Sequence, residues 1–288
     1  MGAADIVPGV SGGTAALLLG IYERLILNVR NVAGAAGHIL RGDISGGRSR
    51  LRSVEWVWLI SLLIGILVAI AALSALLERL LDEQPVRMAG LFFGLILGSV
   101  VVAWRLVRKV DIAGFLIMGL VALFFFLFLG LRTDTSSEAA EIVTKPLWLF
   151  FLVGGIAICA MILPGISGSF LLVMMGMYSE VLGAVNDRDF LVLAVFAAGC
   201  AVGLGLFSTL LEWMLEHHHD RVLAAMIGLM LGSLRVLWPW PGGTATTTMS
   251  WPQEDVLIPV LLALAGLLAV IGVELISLRL RKTAHLHD

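Results

Sequence analysis

The sequence predicts an all-α polytopic membrane protein made of two inverted repeats, and three observations support this. The 288 residues are 59% hydrophobic and only 14% charged, with a mean hydropathy of +1.01. A soluble domain does not need that much apolar surface. Six apolar runs have close to the roughly 20 residues that span a bilayer. Finally, a Pro-Gly motif occurs twice, at 8–12 and at 164–168, with the matched residues in the same order and spacing.

The Pro-Gly motifs predict two breaks in otherwise apolar helices, at Pro8-Gly9 and at Pro164-Gly165. In lipid, a broken helix is tolerated only where its freed backbone groups are buried in protein or line a wet cavity. Each motif therefore predicts a re-entrant hairpin whose second helix starts at Ser-Gly. The backbone N–H groups at such a helix start favour an anion. The alternative is that the breaks only allow close helix packing.

The predicted organisation is one transmembrane domain of two repeats. The first repeat, 1–131, comprises a hairpin (1–26), a basic loop (27–53) and spans at 56–77, 88–104 and 112–131. The second, 147–278, comprises a hairpin (147–182) and spans at 190–215, 222–238 and 257–278. The apolar lead-in before Pro8 is too short for a half-helix like the one before Pro164. We therefore expect either a natural start further upstream or a trimmed first hairpin.

Loop charges predict the orientation. The 27–53 segment is rich in arginine, and the 105–111 link and the C-terminus are also basic, whereas 132–146 is weakly acidic. With both Pro-Gly elements re-entrant, every strongly basic segment falls on one side, which the positive-inside rule makes cytoplasmic. The 27–53 segment is then a solvated loop or, alternatively, a patch for lipid headgroups.

A second repeated pair supports the division into halves. Residues 87–104 and 221–238 each begin with Arg, contain Gly-x-x-x-Gly-Ser and end with Trp at the same spacing. The small residues share one face and favour close helix packing. Each half contains three spans, an odd number, so the second half is inverted relative to the first. Inverted repeats with broken helices are typical of secondary transporters, with the substrate at the repeat interface.

The stretch GAADIVPGVSGGTAALLLGIYERLI, echoed by ICAMILPGISGSFLLVMMGMY, resembles the PopT-type polyprenyl-phosphate transporters, formerly a bacterial membrane family of unknown function. The resemblance implies a flippase of the bacterial cytoplasmic membrane. Such a protein returns undecaprenyl phosphate from the outer to the inner leaflet for envelope synthesis. It also implies that residues 8–14 and 164–168 meet the phosphate.

The residue chemistry suits a phosphate headgroup. Hydroxyls and backbone amides are expected from Ser11, Gly12, Gly13 and Thr14 in the first motif and from Ser167, Gly168 and Ser169 in the second. Arg87 and Arg221 begin matched helices and are the candidate cations, although arginines at span ends also snorkel to the interface. The resulting hypothesis is that Ser11, Thr14, Ser167, Arg87 and Arg221 converge on one phosphate.

Ionisable residues within or beside the predicted spans are candidates for proton or sodium coupling, namely Asp5, Glu212 and Glu274. Asp5 could instead cap a helix, and Glu212 could lie at the interface. Cys159 and Cys200 have no metal-ligand spacing, so no metal and no cofactor are expected. The net charge of −2 gives no argument for nucleic acid. The expected partners are the lipid and the bilayer, with a homodimer as a candidate assembly.

Two rival functions use the same turn. A polyprenyl-pyrophosphate phosphatase needs an arginine in the turn and paired carboxylates or a histidine as acid and base. Glycine follows the turn serine both times, as Gly12 and Gly168, so we expect no catalytic residues and no enzyme. An anion channel built on opposed helix N-termini would share the site but lack a path for the lipid tail.

Overall fold

The structure is a computed structural model that describes residues 1–2, 11–109, 111–130, 145–166, 168, 171–172, 175–243, 246, 248–252 and 255–284, with backbone only at 40, 78 and 277–284. The main helices within these ranges are α1 (Gly12–Leu18), α2 (Tyr22–Leu40), α3 (Ile44–Arg52), α4 (Trp56–Glu83), α5 (Pro85–Leu106), α6 (Ile112–Gly130), α7 (Leu147–Ile162), α8 (Tyr178–Asn186), α9 (Phe190–Ser233) and α10 (Leu257–Ala284). The described residues contain no strand, which confirms the all-α prediction.

Five of the described helices are long and apolar enough to cross a membrane: α4, α5, α6, α9 and the part of α10 over Leu257–Ile276. The 44 residues of α9 would measure about 66 Å if straight, enough for two crossings. Its backbone leaves helical geometry at His218 (φ −136°, ψ 38°). The two predicted spans at 190–215 and 222–238 therefore meet at a one-residue break instead of a loop, and the second ends earlier, at Ser233.

The segment predicted as a polar loop at 27–53 is mostly helical. α2 continues through the expected hairpin boundary to Leu40, and α3 packs against it where Gly47 lies close to Ile39. Asp43 caps α3 by accepting a 2.8 Å hydrogen bond from the Gly46 amide. That bond, together with bonds from Ser45 and His38, lowers the pKa of Asp43 to about 2. The basic connection is thus an ordered helical pair.

Glycines join the two halves through reciprocal helix pairs. Along α5, the backbones of Pro259 and Ala263 in α10 approach Gly90 and Gly94 so closely that a methyl group would lie within 2.5 Å of a carbonyl oxygen. In α9, a methyl group added to Gly228 would likewise lie 2.6 Å from the carbonyl oxygen of Met118 in α6. The two helices of each pair are parallel to one another, because residue numbers rise together along both of them. The second span of each predicted repeat therefore packs on the third span of the other.

The chain between α7 and α9 returns to the end of the molecule where α7 begins. α7 and the first half of α9 (190–217) pack in parallel: Cys200 contacts the Gly154 carbonyl, and Cys159 contacts that of Gly203. The start of α9 therefore lies at the same end as the start of α7. Lys145, just before α7, accordingly contacts the carbonyl of Gly176 and lies 3.6 Å from Glu180.

The main core lies between α5 and the second half of α9 (219–233), the two helices that carry the repeated sequence. Phe92 and Ile96 of α5 pack there with Met226, Ile227 and Met230 of α9, and each of these side chains is at most 5% exposed. These two helices run in opposite directions. The repeated helices thus form the centre of the molecule.

Polar contacts collect at two ends. At the Asp220 end, Asp220 accepts hydrogen bonds from the backbone amides of Arg108 (2.8 Å) and Lys109 (3.1 Å). At the Asp255 end, Arg87 donates to Asp255 (3.2 Å), and the start of α5 packs against Gly243. The basic 105–109 link lies at the Asp220 end, and Glu23 at the start of α2 lies 3.4 Å from His219 there.

Replacing Gly94 by alanine should destabilise the protein by about 1–3 kcal/mol, because the added methyl would lie 1.8 Å from the Ala263 carbonyl oxygen. Gly228→Ala should have a similar effect on the reciprocal pair. Gly119→Ala is the matched control, since nothing lies within 4 Å of its added methyl. Thermal unfolding in detergent measures the difference. Equal midpoints for Gly94→Ala and Gly119→Ala would contradict the tight packing.

Candidate functional site

Ser11 joins the start of α1 to the end of α7. Its backbone is extended and its Oγ accepts a 3.0 Å hydrogen bond from the Gly13 amide, so it is the N-cap of α1. The same hydroxyl lies 3.2 Å from the carbonyl oxygens of both Met161 and Leu163, to which it can donate. Ser11 is buried. One side chain thus pairs with backbone groups just after the first Pro-Gly motif and just before the second.

Thr14 makes the second link between the motifs. Its Oγ1 accepts a 3.1 Å hydrogen bond from the amide of Gly165, and the pair is buried. Gly165 has φ +85°, which favours glycine, and its Cα is packed against the backbone of Met230. Tyr22 adds a third link by donating from its hydroxyl to the carbonyl of Ile162 (3.1 Å).

Gly13 permits this close approach. A methyl group at Gly13 would lie 2.4 Å from the carbonyl oxygen of Ile162, so any side chain there would force the motifs apart. Gly168, on the second motif, is buried against the side chain of Met161. Gly13, which the sequence suggested for backbone approach to a phosphate, here also allows the backbone of one half to approach that of the other.

The polar groups described at this junction face each other. The hydroxyls of Ser11 and Thr14 and the amide of Gly165 are paired within the protein. Because a hydrogen bond in a site of low dielectric is strong, and an unmade one is costly, such a junction holds its partners firmly. A phosphate could contact these groups only by replacing those bonds. Five of the expected site residues, Asp5, Pro8, Gly9, Ser167 and Ser169, lie outside the described residues.

Arg87 and Arg221 are not brought together. Arg87 pairs with Asp255 at the start of α5, whereas Arg221 is exposed beside Asp220, near the other end of the same helix. α5 is about 33 Å long. The two matched helices run in opposite directions, so their first residues lie at opposite ends. Convergence of both arginines on one phosphate therefore does not occur in this conformation.

The two acidic candidates that the structure describes, Glu212 and Glu274, each have an arginine partner. Glu274 of α10 pairs with Arg105 of α5 at 3.0 Å, with 12% of the glutamate side chain exposed. Glu212 of α9 is in ion-pair contact with Arg30 of α2, although that contact lacks hydrogen-bond geometry. Both glutamates thus lie in partly buried charge pairs, where a change of protonation would release an arginine.

Two apolar cavities flank α5. One of about 230 Å³ has Glu274 at its edge and Ala15 and Leu18 of α1 in its wall, so it reaches the helix that follows the first Pro-Gly motif. The other, of about 320 Å³, lies between α5, α6 and α9, with Arg105 at its edge. The Arg105–Glu274 pair therefore connects the margins of two apolar spaces. Within the described residues, no group of three or more acidic, histidine or cysteine side chains could hold a metal ion.

The sequence interpretation overlooked three residues. The sequence places Arg105 in a basic link, and it assigns no role to Tyr22. Arg235 was not considered, although it stands inside the predicted span 222–238, where a charge signals function. A charged residue inside a predicted span is thus the sequence signal that indicates a role for Arg235. The partner of Arg105 is 169 residues away, so no local pattern could indicate it.

Comparison with known proteins identifies the family. The model of the family described as "VCA0040-like: Undecaprenyl phosphate translocase-like" matches residues 1–254. The chain belongs to this family. The translocase-like family is one of transporters, so the chain is a transporter and not an enzyme, as the turn residues predicted.

Two relatives within the translocase-like family carry the name polyprenyl-phosphate transporter. One, from Vibrio cholerae, is 39% identical over 252 residues, covering 87% of this chain and 77% of the relative. The other, from Staphylococcus aureus, is 32% identical over 262 residues, covering 87% of this chain and 86% of the relative. No solved structure matches the chain. The resemblance found in the Pro-Gly stretches is confirmed.

Thr14→Val should lower the free energy of unfolding by about 1–3 kcal/mol, because it leaves the buried amide of Gly165 without an acceptor. Thr14→Ser keeps the hydroxyl, so its free energy of unfolding should fall much less. Thermal midpoints of the two variants in the same detergent test this. A valine variant as stable as the serine variant would show that this hydrogen bond contributes nothing measurable to stability.

Proposed function

We propose that this protein is a flippase that returns polyprenyl phosphate from the outer to the inner leaflet of the bacterial cytoplasmic membrane, for reuse in envelope synthesis. The observation that carries the proposal is the direct contact between the two Pro-Gly motifs, through Ser11, Thr14 and Gly165. This contact forms a buried polar junction within the apolar helix bundle of a protein of the translocase-like family. A transported headgroup needs such a junction, because elsewhere it would meet only hydrocarbon.

The proposed architecture is two inverted repeats, each with a re-entrant Pro-Gly hairpin. The reciprocal packing of α5 on α10 and of α9 on α6 supports the inversion. The contact of Lys145 with Glu180 supports re-entry of the second hairpin. The Asp220 end, which carries the basic 105–109 link, is then cytoplasmic, and the Asp255 end faces outward.

The proposed transport step separates the two motifs around the headgroup. Ser11, Gly12, Gly13 and Thr14 on one side, and Ser167, Gly168 and Ser169 on the other, would exchange their contacts within the protein for phosphate oxygens. Each neutral hydrogen bond contributes about 0.5–1.5 kcal/mol net, so phosphate bonds of the charged type, about 1.5–3 kcal/mol, can offset those lost. The isoprenoid tail stays in lipid beside the bundle.

The charged residues at the ends would serve arrival, departure and coupling. Arg87 lies at the proposed outer end and Arg221 at the proposed inner end, so each can meet the phosphate on one side only. Glu274, Glu212 and Asp5 are the proposed proton or sodium sites. Protonation of Glu274 would release Arg105 at the margin of both cavities. A homodimer is a proposed assembly that would leave this path within each subunit.

Single-cysteine labelling tests re-entry. After Cys159 and Cys200 are replaced, Asn186→Cys and Gln84→Cys should react with an impermeant thiol reagent from outside intact cells. Ser45→Cys, exposed in α3, should react only after the membrane is opened. The three positions are exposed and lie in helices or helix caps. Protection of Asn186→Cys in intact cells would mean that the second element crosses the membrane.

Reconstitution tests the activity. In proteoliposomes, the protein should move undecaprenyl phosphate between leaflets, as measured by accessibility of the phosphate to an added phosphatase, without releasing phosphate itself. Gly13→Val should abolish movement, because its side chain would collide with the Ile162 carbonyl. Gly119→Val, on the open face of α6, is the matched control. Phosphate release without movement of the lipid would instead support the phosphatase.

A further inference from the structure

Arg235 lies just beyond α9 in an environment built around its guanidinium group. Its Cζ is 4.7 Å from the centre of the Phe126 ring, a cation–π contact. The group also lies flat over Gly130, where a methyl group would come within 2.4 Å of Cζ. An aromatic face on α6 and a glycine one turn further along that helix thus hold the guanidinium in one plane.

Among the described residues, no carboxylate neutralises the charge of Arg235. Its Nε–H is buried without a hydrogen-bond acceptor, and no carboxylate pairs with it among the residues that the structure describes. Arg105, near the opposite end of the bundle, is in contrast paired with Glu274. Arginine stays protonated in proteins, so Arg235 cannot avoid the cost by losing its proton. A buried donor of this kind calls for an anion.

Arg235 also lies beside the second Pro-Gly motif. The next residue, Val236, is 2% exposed and packs in one cluster with Ile166, Ala160, Phe125 and Leu129. The turn itself rests on α9 only a few residues earlier, where Gly165 touches Met230. The cation is therefore placed where a headgroup would approach the second motif from the Asp255 end.

The neighbouring surface suits an isoprenoid chain. α6 presents an apolar stripe at Leu116, Leu120, Leu123 and Leu127, each at least 56% exposed. These positions follow helical spacing and lead along the helix away from Gly130. An amphiphile with its anionic group at Arg235 could lay its tail along this stripe.

We propose that Arg235 is a phosphate-binding residue that captures the lipid headgroup at the Asp255 end, before it reaches the Pro-Gly junction. The ligand class is a phosphomonoester on a long apolar chain, and the inference rests on the proposed transport function. The guanidinium offers its donors in a fixed plane to two phosphate oxygens. Phe126 and Gly130 keep that plane oriented.

The test measures binding of undecaprenyl phosphate, undecaprenol and inorganic phosphate to the detergent-solubilised full chain, by native mass spectrometry. Arg235→Gln should weaken binding of the lipid phosphate about tenfold or more, and Arg235→Lys should weaken it less. Gly130→Ala keeps the charge but displaces the guanidinium, so it should also weaken binding. Arg79→Gln is the control: Arg79 is 72% exposed and pairs with Glu83 on α4. A folded state is verified by size-exclusion elution and thermal midpoint.

The outcomes separate the two claims. If the unaltered protein binds undecaprenyl phosphate no better than undecaprenol, the proposed function fails, and this inference with it. If it binds the phosphate better, but Arg235→Gln and Gly130→Ala bind as well as Arg79→Gln, the inference alone is overturned. If Arg235→Gln loses only inorganic phosphate, the site serves a free anion and the lipid assignment is wrong. Selective loss of the lipid phosphate supports the proposal.

Discussion

The fold depends on a constraint of the membrane interior: a broken helix must find partners for its freed backbone groups where no water is present. Here side chains that follow the first break supply partners for backbone groups at the second. Ser11 lies against the carbonyl of Leu163, Thr14 accepts from the amide of Gly165, and Tyr22 donates to Ile162. These contacts join residues about 150 positions apart and make one polar junction between the halves.

Close helix packing around the junction depends on glycine. Lipid offers no hydrophobic driving force between apolar helices, so their association relies on van der Waals contact of closely approaching backbones. Gly90 and Gly94 provide this for α5 and α10, and Gly228 provides it for α9 and α6. Since each pair joins one half to the other, the packing and the junction support the same arrangement. α4 contributes little to it and exposes most of its apolar surface.

The same junction explains how a stable structure could also be a transport path. Its hydrogen bonds are numerous enough to hold the motifs together, yet each is of a size that a phosphate oxygen could replace. The charges are distributed accordingly: ion pairs such as Arg87–Asp255 and Arg105–Glu274 lie towards the ends, away from the neutral groups in the middle. A headgroup would thus pass from charged to neutral donors and back to charged ones.

The sequence by itself determined the membrane class, the repeated motifs and the family, because hydropathy and Pro-Gly breaks are local properties of the chain. It also indicated that Gly94 and Gly228 pack against helices, since their spacing places them on a helix face. Only the tertiary structure decided which groups meet. Arg87 and Arg221 match in sequence yet lie at opposite ends, because the helices that carry them run antiparallel. Glu274 pairs with Arg105, and Thr14 accepts a hydrogen bond from Gly165, because the fold places segments that are distant in sequence side by side.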